Sequence, residues 1–182
     1  FYFEGEPANT KLASMVRGVV TLNPLVRFLY GANQLLPASK AQQLLPARHK
    51  TDSRDMEGLL HTAPAQLSFT EDDDDRGQQY LTSVGFEKGD KFVCLVVRDN
   101  RYLKQVQAER DWSYHDFRDT NIEDYKQAAL ALAKQGYWVF RMGKAVRNTF
   151  NVSHPRVIDY ANSDDCSDFL DIWLMANCCF CI

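Results

Sequence analysis

The chain has 182 residues, 45% of them hydrophobic and 25% charged, with a formal net charge of -3. That is the composition of an ordinary globular protein with room for one substantial core, and the charge gives no ground to expect nucleic acid as a partner. No apolar stretch approaches the length of a membrane-spanning helix.

From Pro7 to Thr51 there is no acidic residue, while Lys11, Arg17, Arg27, Lys40, Arg48 and Lys50 are basic. Apolar Val19, Val20, Leu22, Leu25, Val26, Phe28, Leu29 and Tyr30 are interleaved with them, and Asn23-Pro24 is placed to start a short helix. Such a block is a helical packing layer with a solvated basic face, or a peripheral contact with an anionic membrane through residues 11–50. Between Asp52 and Asp75 the sign reverses, with eight acids against Arg54 alone. Thr70 is a candidate N-cap, and the run Glu71–Asp75 suits the first turn of a helix continuing through Arg76–Val84. Gly85 and Gly89-Asp90 then punctuate the chain. We therefore expect a boundary near 85–90, between a mainly helical segment 1–85 and an α/β domain 86–182.

Phe92–Val97 is apolar without alternation, as is Tyr137–Phe140, so both read as strands buried on two faces. A helical segment lies between them, which predicts a strand–helix–strand unit with parallel pairing. Thr120 with Glu123 matches a capping box, Ile122, Tyr125, Ala129 and Leu132 recur at helical spacing, and Gly136 ends the helix. After a polar loop 143–155, a short strand is predicted at Arg156–Tyr160. A helix capped by Ser163 or Asp165 then carries Phe169, Leu170, Trp173 and Leu174 to Asn177, and a last strand is expected at Cys178–Ile182. The pattern β-α-β-loop-β-α-β predicts a Rossmann-like parallel sheet with flanking helices. The chain begins at Phe1 and ends at Ile182 inside an apolar run, and reads as a fragment of a longer protein.

Cys178, Cys179 and Cys181 crowd the last apolar run, and Cys94 lies in another. Adjacent cysteines on a strand point to opposite faces, so they read as small buried hydrophobes in an intracellular protein rather than as disulfides or ligands. The four histidines form no ligand pattern, and no metal site is expected.

The sequence contains no GxGxxG, GxxxxGK[ST] or GxSxG. Polar residues instead cluster just past the predicted strand ends: Arg98, Asp99 and Tyr102, then His115, Arg118 and Asn121, then Arg141 before Met142-Gly143. In an open parallel sheet, ligands sit outside the carboxyl ends of the strands. Two arginines delivered there would present bidentate forks to phosphate or carboxylate. Asp99 would hold the Arg98 guanidinium or accept from a sugar, and His115 is a candidate general base. The helix start at Ile122 would aim its amides at the same edge. Each residue alone also reads as a surface ion pair or a solvated loop side chain.

The wording Phe92–Asp99 with Tyr102-Leu103, His115–Ile122 with Tyr125, and Gly136-Tyr137 with Val139 and Arg141–Gly143 resembles a bacterial family of glycosyltransferases from surface-polysaccharide loci. Ile158–Ala161, Ser167–Asp171 and Ala176–Cys178 extend the resemblance over 86–182. It thins over 1–85, to Asn33–Pro37, Ser53–Asp55 and Leu59-Leu60. The resemblance implies a GT-B fold of two facing Rossmann-like domains, segment 1–85 being the end of the acceptor-side domain. A nucleotide-sugar donor would be the substrate, a glycan or lipid-linked molecule the acceptor, and no cofactor or metal would be needed. A more distant similarity to fucosyltransferase-like enzymes implies Arg98 on the donor diphosphate and Arg141 as a second phosphate or base-edge contact, with Asp99, Arg118 and Gly143 also expected in the donor site. It further implies Asp168 on the ribose or capping its helix, and His115 as base. A cytoplasmic protein at the inner face of the membrane follows. The chain departs from the family where a histidine is common two positions before the motif's Asp, the place held here by Val97. The Ser/Thr-Gly loop expected after Ile182 is not within the chain, so the fragment is expected to be inactive alone. The alternatives are a non-catalytic binding or assembly protein with a degenerate GT-B-like fold, and an unrelated Rossmann-like transferase for a phosphorylated small molecule.

Overall fold

A computed structural model describes residues 5–37, 55, 58–106, 108–109, 111 and 113–182. Lys40, Arg48, Lys50, Ser53 and Arg54 lie outside them, as do the side chains of Leu59, Leu60 and His115. The chain divides into two units, Phe1–Ser68 and Phe69–Ile182.

The first unit is helical where it is described. Helix α1 (Thr10–Val19) is capped by Asn9, whose Oδ1 accepts from the Leu12 amide at 2.8 Å. Helix α2 (Val26–Asn33) follows the Asn23-Pro24 turn as expected and buries none of its residues. Leu25, Phe28, Leu29, Leu35 and Leu36 are all exposed. Helix α3 (Leu59–Thr62) is a single turn.

The second unit is an α/β sandwich built on a parallel sheet. It opens with helix α4 (Glu71–Ser83), whose start obeys the local chemistry read from the sequence. Thr70 accepts from the Asp73 amide and the Asp73 carboxylate accepts from the Thr70 amide, a closed capping box. Strand β1 (Lys91–Val96) pairs in parallel with β2 (Tyr137–Met142), Cys94 opposite Phe140, and β2 pairs in parallel with the two-residue β3 (Val157–Ile158). On the far edge of β1 the expected terminal strand shrinks to one parallel bridge, Cys94 to Cys181, flanked by hydrogen bonds from Cys94 N to Phe180 O and from Ile182 N to Cys94 O. Across the sheet the order is therefore β3, β2, β1, terminal segment, so the chain winds outward from β1 in both directions.

The strands lack alternation because both faces are covered. Phe92, Cys94, Trp138, Phe140 and Met142 pack with Tyr80 and Leu81 of α4 and with Phe169, Leu170, Trp173 and Leu174 of α7 (Asp168–Asn177). Val93, Leu95, Val97, Val139 and Val157 pack on the opposite face with Ile122, Phe150, and Ala129 and Ala133 of α6 (Lys126–Lys134). One face is mainly aromatic and the other aliphatic, and the two alanines four residues apart let α6 lie close to the branched strand residues. Each large side chain so buried stabilises the fold by roughly 1.5–3 kcal/mol.

Helix α4 belongs to the second unit, where it covers one face of the sheet and Trp173 lies against Gly77. Two local expectations change. The Thr120–Glu123 capping box does not form. The Asn121 side chain accepts from the Glu123 amide at 3.2 Å, and a 3-10 turn (Ile122–Tyr125) leads into α6. Helix α7 is capped by Ser167 rather than Ser163 or Asp165, with Ser167 Oγ accepting from Leu170 N. Gly136 does end α6, at a φ of 95° open to glycine. A short helix α5 (Arg101–Val106) and a 3-10 helix (Ser113–Arg118) fill the connection after β1.

Candidate functional site

Beyond Val96 and Met142, at the carboxyl end of the sheet, lies a cavity of about 370 Å³. Val97, Asp99, Asp116, Asp119, Thr120, Asn121, Ile122, Arg141, Arg147 and Asn148 line it. It opens on the α6 side, because Val97 continues the Val93–Leu95 face of β1 and Arg141 continues the Val139 face of β2.

Arg141 is the deepest charged group among the described residues, 1% exposed. Its Nη1 donates to Asp159 Oδ1 at 3.1 Å, while its buried Nε has no partner among the described residues. Asp159 follows β3 directly, and its other oxygen accepts from Phe150 N and Asn162 Nδ2, each at 2.7 Å. A buried guanidinium needs such a carboxylate. The three acceptances fix the loop before β3 to the end of β2.

Arg147 reaches the cavity from the loop after β2. Its amide donates to Asp99 Oδ2 at 3.0 Å, and its Nη2 donates to the buried Asn100 Oδ1. The same guanidinium lies 3.6 Å from Asp119, with about half its side chain exposed. Asn100 Nδ2 donates in turn to Asp116 Oδ1 at 2.6 Å. The Asp119 carboxylate is 12% exposed, and both its oxygens are buried without a hydrogen bond among the described residues. Asp119 and Arg141 thus line the cavity as a carboxylate and a guanidinium with spare hydrogen-bonding capacity, and Arg147 adds a half-exposed guanidinium. Carboxylates accept from hydroxyls and guanidinium groups donate to phosphate or hydroxyl oxygens. The lining therefore suits a polyhydroxylated ligand carrying an anionic group.

The residues anticipated from the sequence divide. Asp99, Arg141 and Asn121 line the cavity. Asp99, however, is taken by the Arg147 and Arg101 amides, a clasp on the loops rather than on Arg98. Arg141 belongs to β2 itself rather than standing past its end. Arg98 is half-buried past the end of β1 and is not among the residues that line the cavity. Its carbonyl accepts from Thr120 N at 3.1 Å. Arg118 is exposed and outside the lining, and His115 is placed only as backbone in the 3-10 helix. The amides at the α6 lead-in are partly consumed, Glu123 N by the Asn121 side chain and Asp124 N by the Asn121 carbonyl.

Gly143 and Asp168 sit apart, near the start of α7. Asp168 accepts from Lys144 Nζ at 2.6 Å, and the Gly143 carbonyl lies 3.8 Å from Cys166 Sγ. Beside them the buried Tyr160 hydroxyl donates to Asp171 at 3.0 Å and accepts from Ser167 N at 2.9 Å. Burial lifts the Asp171 carboxyl above the ordinary range against the lowering effect of that hydrogen bond. Among the described residues no group of three or more His, Cys, Asp or Glu side chains is arranged to hold a metal ion. No described helix is long and apolar enough to cross a membrane.

Not anticipated from the sequence are Asn100, Asp116, Asp119, Arg147, Asn148 and Asp159. The one available signal was Asp119-Thr120-Asn121, a polar tripeptide ahead of the helix. Arg147 and Asp159 enter through loop returns that no local pattern records. Comparison of the chain with protein-family models, with curated proteins and with solved structures finds no match.

Proposed function

We propose that this chain is the donor-binding part of a GT-B-like glycosyltransferase, its second unit holding a nucleotide-sugar at the carboxyl edge of the sheet. One observation carries the reading: a cavity beyond the ends of β1 and β2 combines two arginines with three aspartates. The place is where open parallel sheets take ligands, and the chemistry divides as a nucleotide-sugar does. Arg147 and Arg141 would face the diphosphate, stabilising charge on the departing nucleotide. Asp119 and Asp116 would accept from ribose or sugar hydroxyls. Asp99 and Asp159 would act at one remove, holding the loops and the Arg141 guanidinium. The resemblance over 86–182 points the same way and suggests a glycan or lipid-linked acceptor, with the protein in the cytoplasm at the inner membrane face. Co-sedimentation with anionic vesicles tests that placement, and absence of binding to them would remove it.

A second reading, a non-catalytic binding module, draws on the excess of carboxylates over arginines and on the pairing of Arg141 with Asp159. Calorimetric titration of the chain with UDP, GDP, CMP and their sugar conjugates separates the readings. Micromolar binding selective for one nucleotide supports the transferase. Binding of free sugars with no preference for any nucleotide supports the module, and no binding by the folded chain removes both.

A further inference from the structure

The end of α7 brings together sulfur atoms that the nucleotide-sugar site does not use. Cys178 caps α7, its amide donating to Leu174 O at 3.0 Å. Three residues on, Cys181 faces Cys94 of β1 across the sheet edge. This turn sets the two sulfurs, Cys178 Sγ and Cys181 Sγ, 3.5 Å apart. The pair has the spacing C-x-x-C, and the terminal segment leaves Cys179 and Cys181 exposed and Cys178 partly exposed. The expectation of small buried hydrophobes therefore holds for Cys94, holds in part for Cys178, which packs partly buried against the core, and fails for Cys179 and Cys181. They lie where a helix ends and an edge segment begins, not along a regular strand.

We propose that Cys178 and Cys181 are a redox modification site, closing to an intrachain disulfide when a disulfide of the glutathione class is present. The exposed Cys181 loses its proton and attacks the oxidised glutathione, forming a mixed disulfide and releasing one glutathione thiolate. Cys178, as its thiolate, then attacks the Cys181 sulfur, forming the Cys178–Cys181 bond and releasing the second thiolate. Two protein thiols are oxidised, one glutathione disulfide is reduced, and the two protons end on the two glutathiones. The loop that closes is four residues long and already has its sulfurs in contact, so the residual movement is rotation about the cysteine side-chain bonds.

The surroundings favour a lasting bond over a catalytic dithiol. Both sulfurs stand at a helix C-terminus, the negative end of its dipole, with no cation beside them among the described residues. Burial, reinforced by Cys178, pushes the Cys181 thiol up. Cys178 Sγ also donates to Met175 O at 3.3 Å. An attacking thiol that resists ionisation, as Cys181 does, leaves the disulfide comparatively hard to reduce. Cys94 is buried with its thiol pushed up by desolvation, and it stays out of the exchange. Closure ties the end of α7 to the segment that hydrogen-bonds β1 through Cys94 N and Val96 N, stiffening that edge of the sheet.

The test is incubation of the chain with oxidised glutathione, then acid quench, alkylation and peptide mass mapping. The inference expects free thiols to fall from five to three, with the loss confined to Cys178 and Cys181. Cys181→Ser should then keep every remaining thiol, or carry a single glutathione on Cys178. A wild-type chain that keeps all its thiols would overturn the inference, as would a bond joining Cys94 or Cys179. The wild-type map decides the matter even where the variant does not fold, and it is independent of what fills the cavity.

Discussion

The guanidinium of Arg141 lies 3.1 Å from the carboxylate of Asp159, joining the end of β2 to the residue that follows β3. The arginine is 1% exposed and the aspartate 18%, so the pair is a buried one whose loss strands a charge. Asp159→Ala should therefore destabilise the second unit by about 3 kcal/mol. Part of that loss belongs to the Phe150 amide and Asn162 side chain, which lose their acceptor. Replacing both partners, Arg141→Met with Asp159→Leu, should recover much of it. Urea unfolding reads both variants. A single-variant loss below about 1 kcal/mol would mean the pair behaves as a surface one.

The cavity assigns unequal weight to the arginines. Arg147→Ala leaves the backbone clasp to Asp99 but strands the buried Asn100 Oδ1 and the Asp119 carboxylate, so stability should fall by about 1–3 kcal/mol, read as a lowered Tm. Affinity for the nucleotide-sugar should drop roughly tenfold or more, the worth of a charge-assisted hydrogen bond. Arg98→Ala should leave affinity nearly unchanged, because Arg98 stands outside the lining. The resemblance implies the opposite order for Arg98, and one titration series with both variants decides between them.

Gly77 marks the contact of α4 with α7. A Cβ placed there would collide with the indole of Trp173, itself buried and donating from Nε1 to Asp74 at 2.9 Å. Gly77→Ala should destabilise by about 2 kcal/mol net, the overpacking outweighing the gain of roughly 1 kcal/mol from better helix propensity. An unchanged or raised Tm would show that the two helices are not in contact as described.

Two aspartates should give the stability curve opposite slopes. Asp171 has its pKa raised chiefly by burial, so between its unfolded and folded values the fold binds the extra proton. Stability then falls as pH rises through that window, and Asp171→Asn should raise Tm near neutral pH but gain nothing in acid. Asp90 has its pKa lowered, first by the Glu87 amide, then by Trp138 Nε1 and Arg156. Its contribution is present above the unfolded value and is lost as pH falls through the folded one, so Asp90→Asn should lower Tm at neutral pH and not in acid. Tm measured against pH for the two variants checks both signs.

What the sequence made legible was local. Uniform apolar runs gave β1 and β2, the capping chemistry of Thr70 gave α4, and Phe169, Leu170, Trp173 and Leu174 gave α7. Less legible was anything set by tertiary return. Helix α4 joins the second unit by packing on residues almost a hundred positions away. The terminal strand dwindled because its last residues meet only one edge of β1. The site followed the same division. A cavity lined in part by Asp99, Arg141 and Asn121 lies at the carboxyl edge, where strand-end logic points. Arg98 follows the end of β1, where no strand period sets its direction. Asp119, Arg147 and Asp159 arrive from loops whose sequences carry no periodic signal.

The most direct measurement is hydrogen exchange of the chain with and without the nucleotide-sugar that titration selects. The proposed site requires new protection at 97–101, 119–124 and 147–150, three loop segments that carry most of the cavity's lining, with none at 160–171. Protection confined to the start of α7 around Ser167 and Asp168, or no change with a ligand that demonstrably binds, would contradict it.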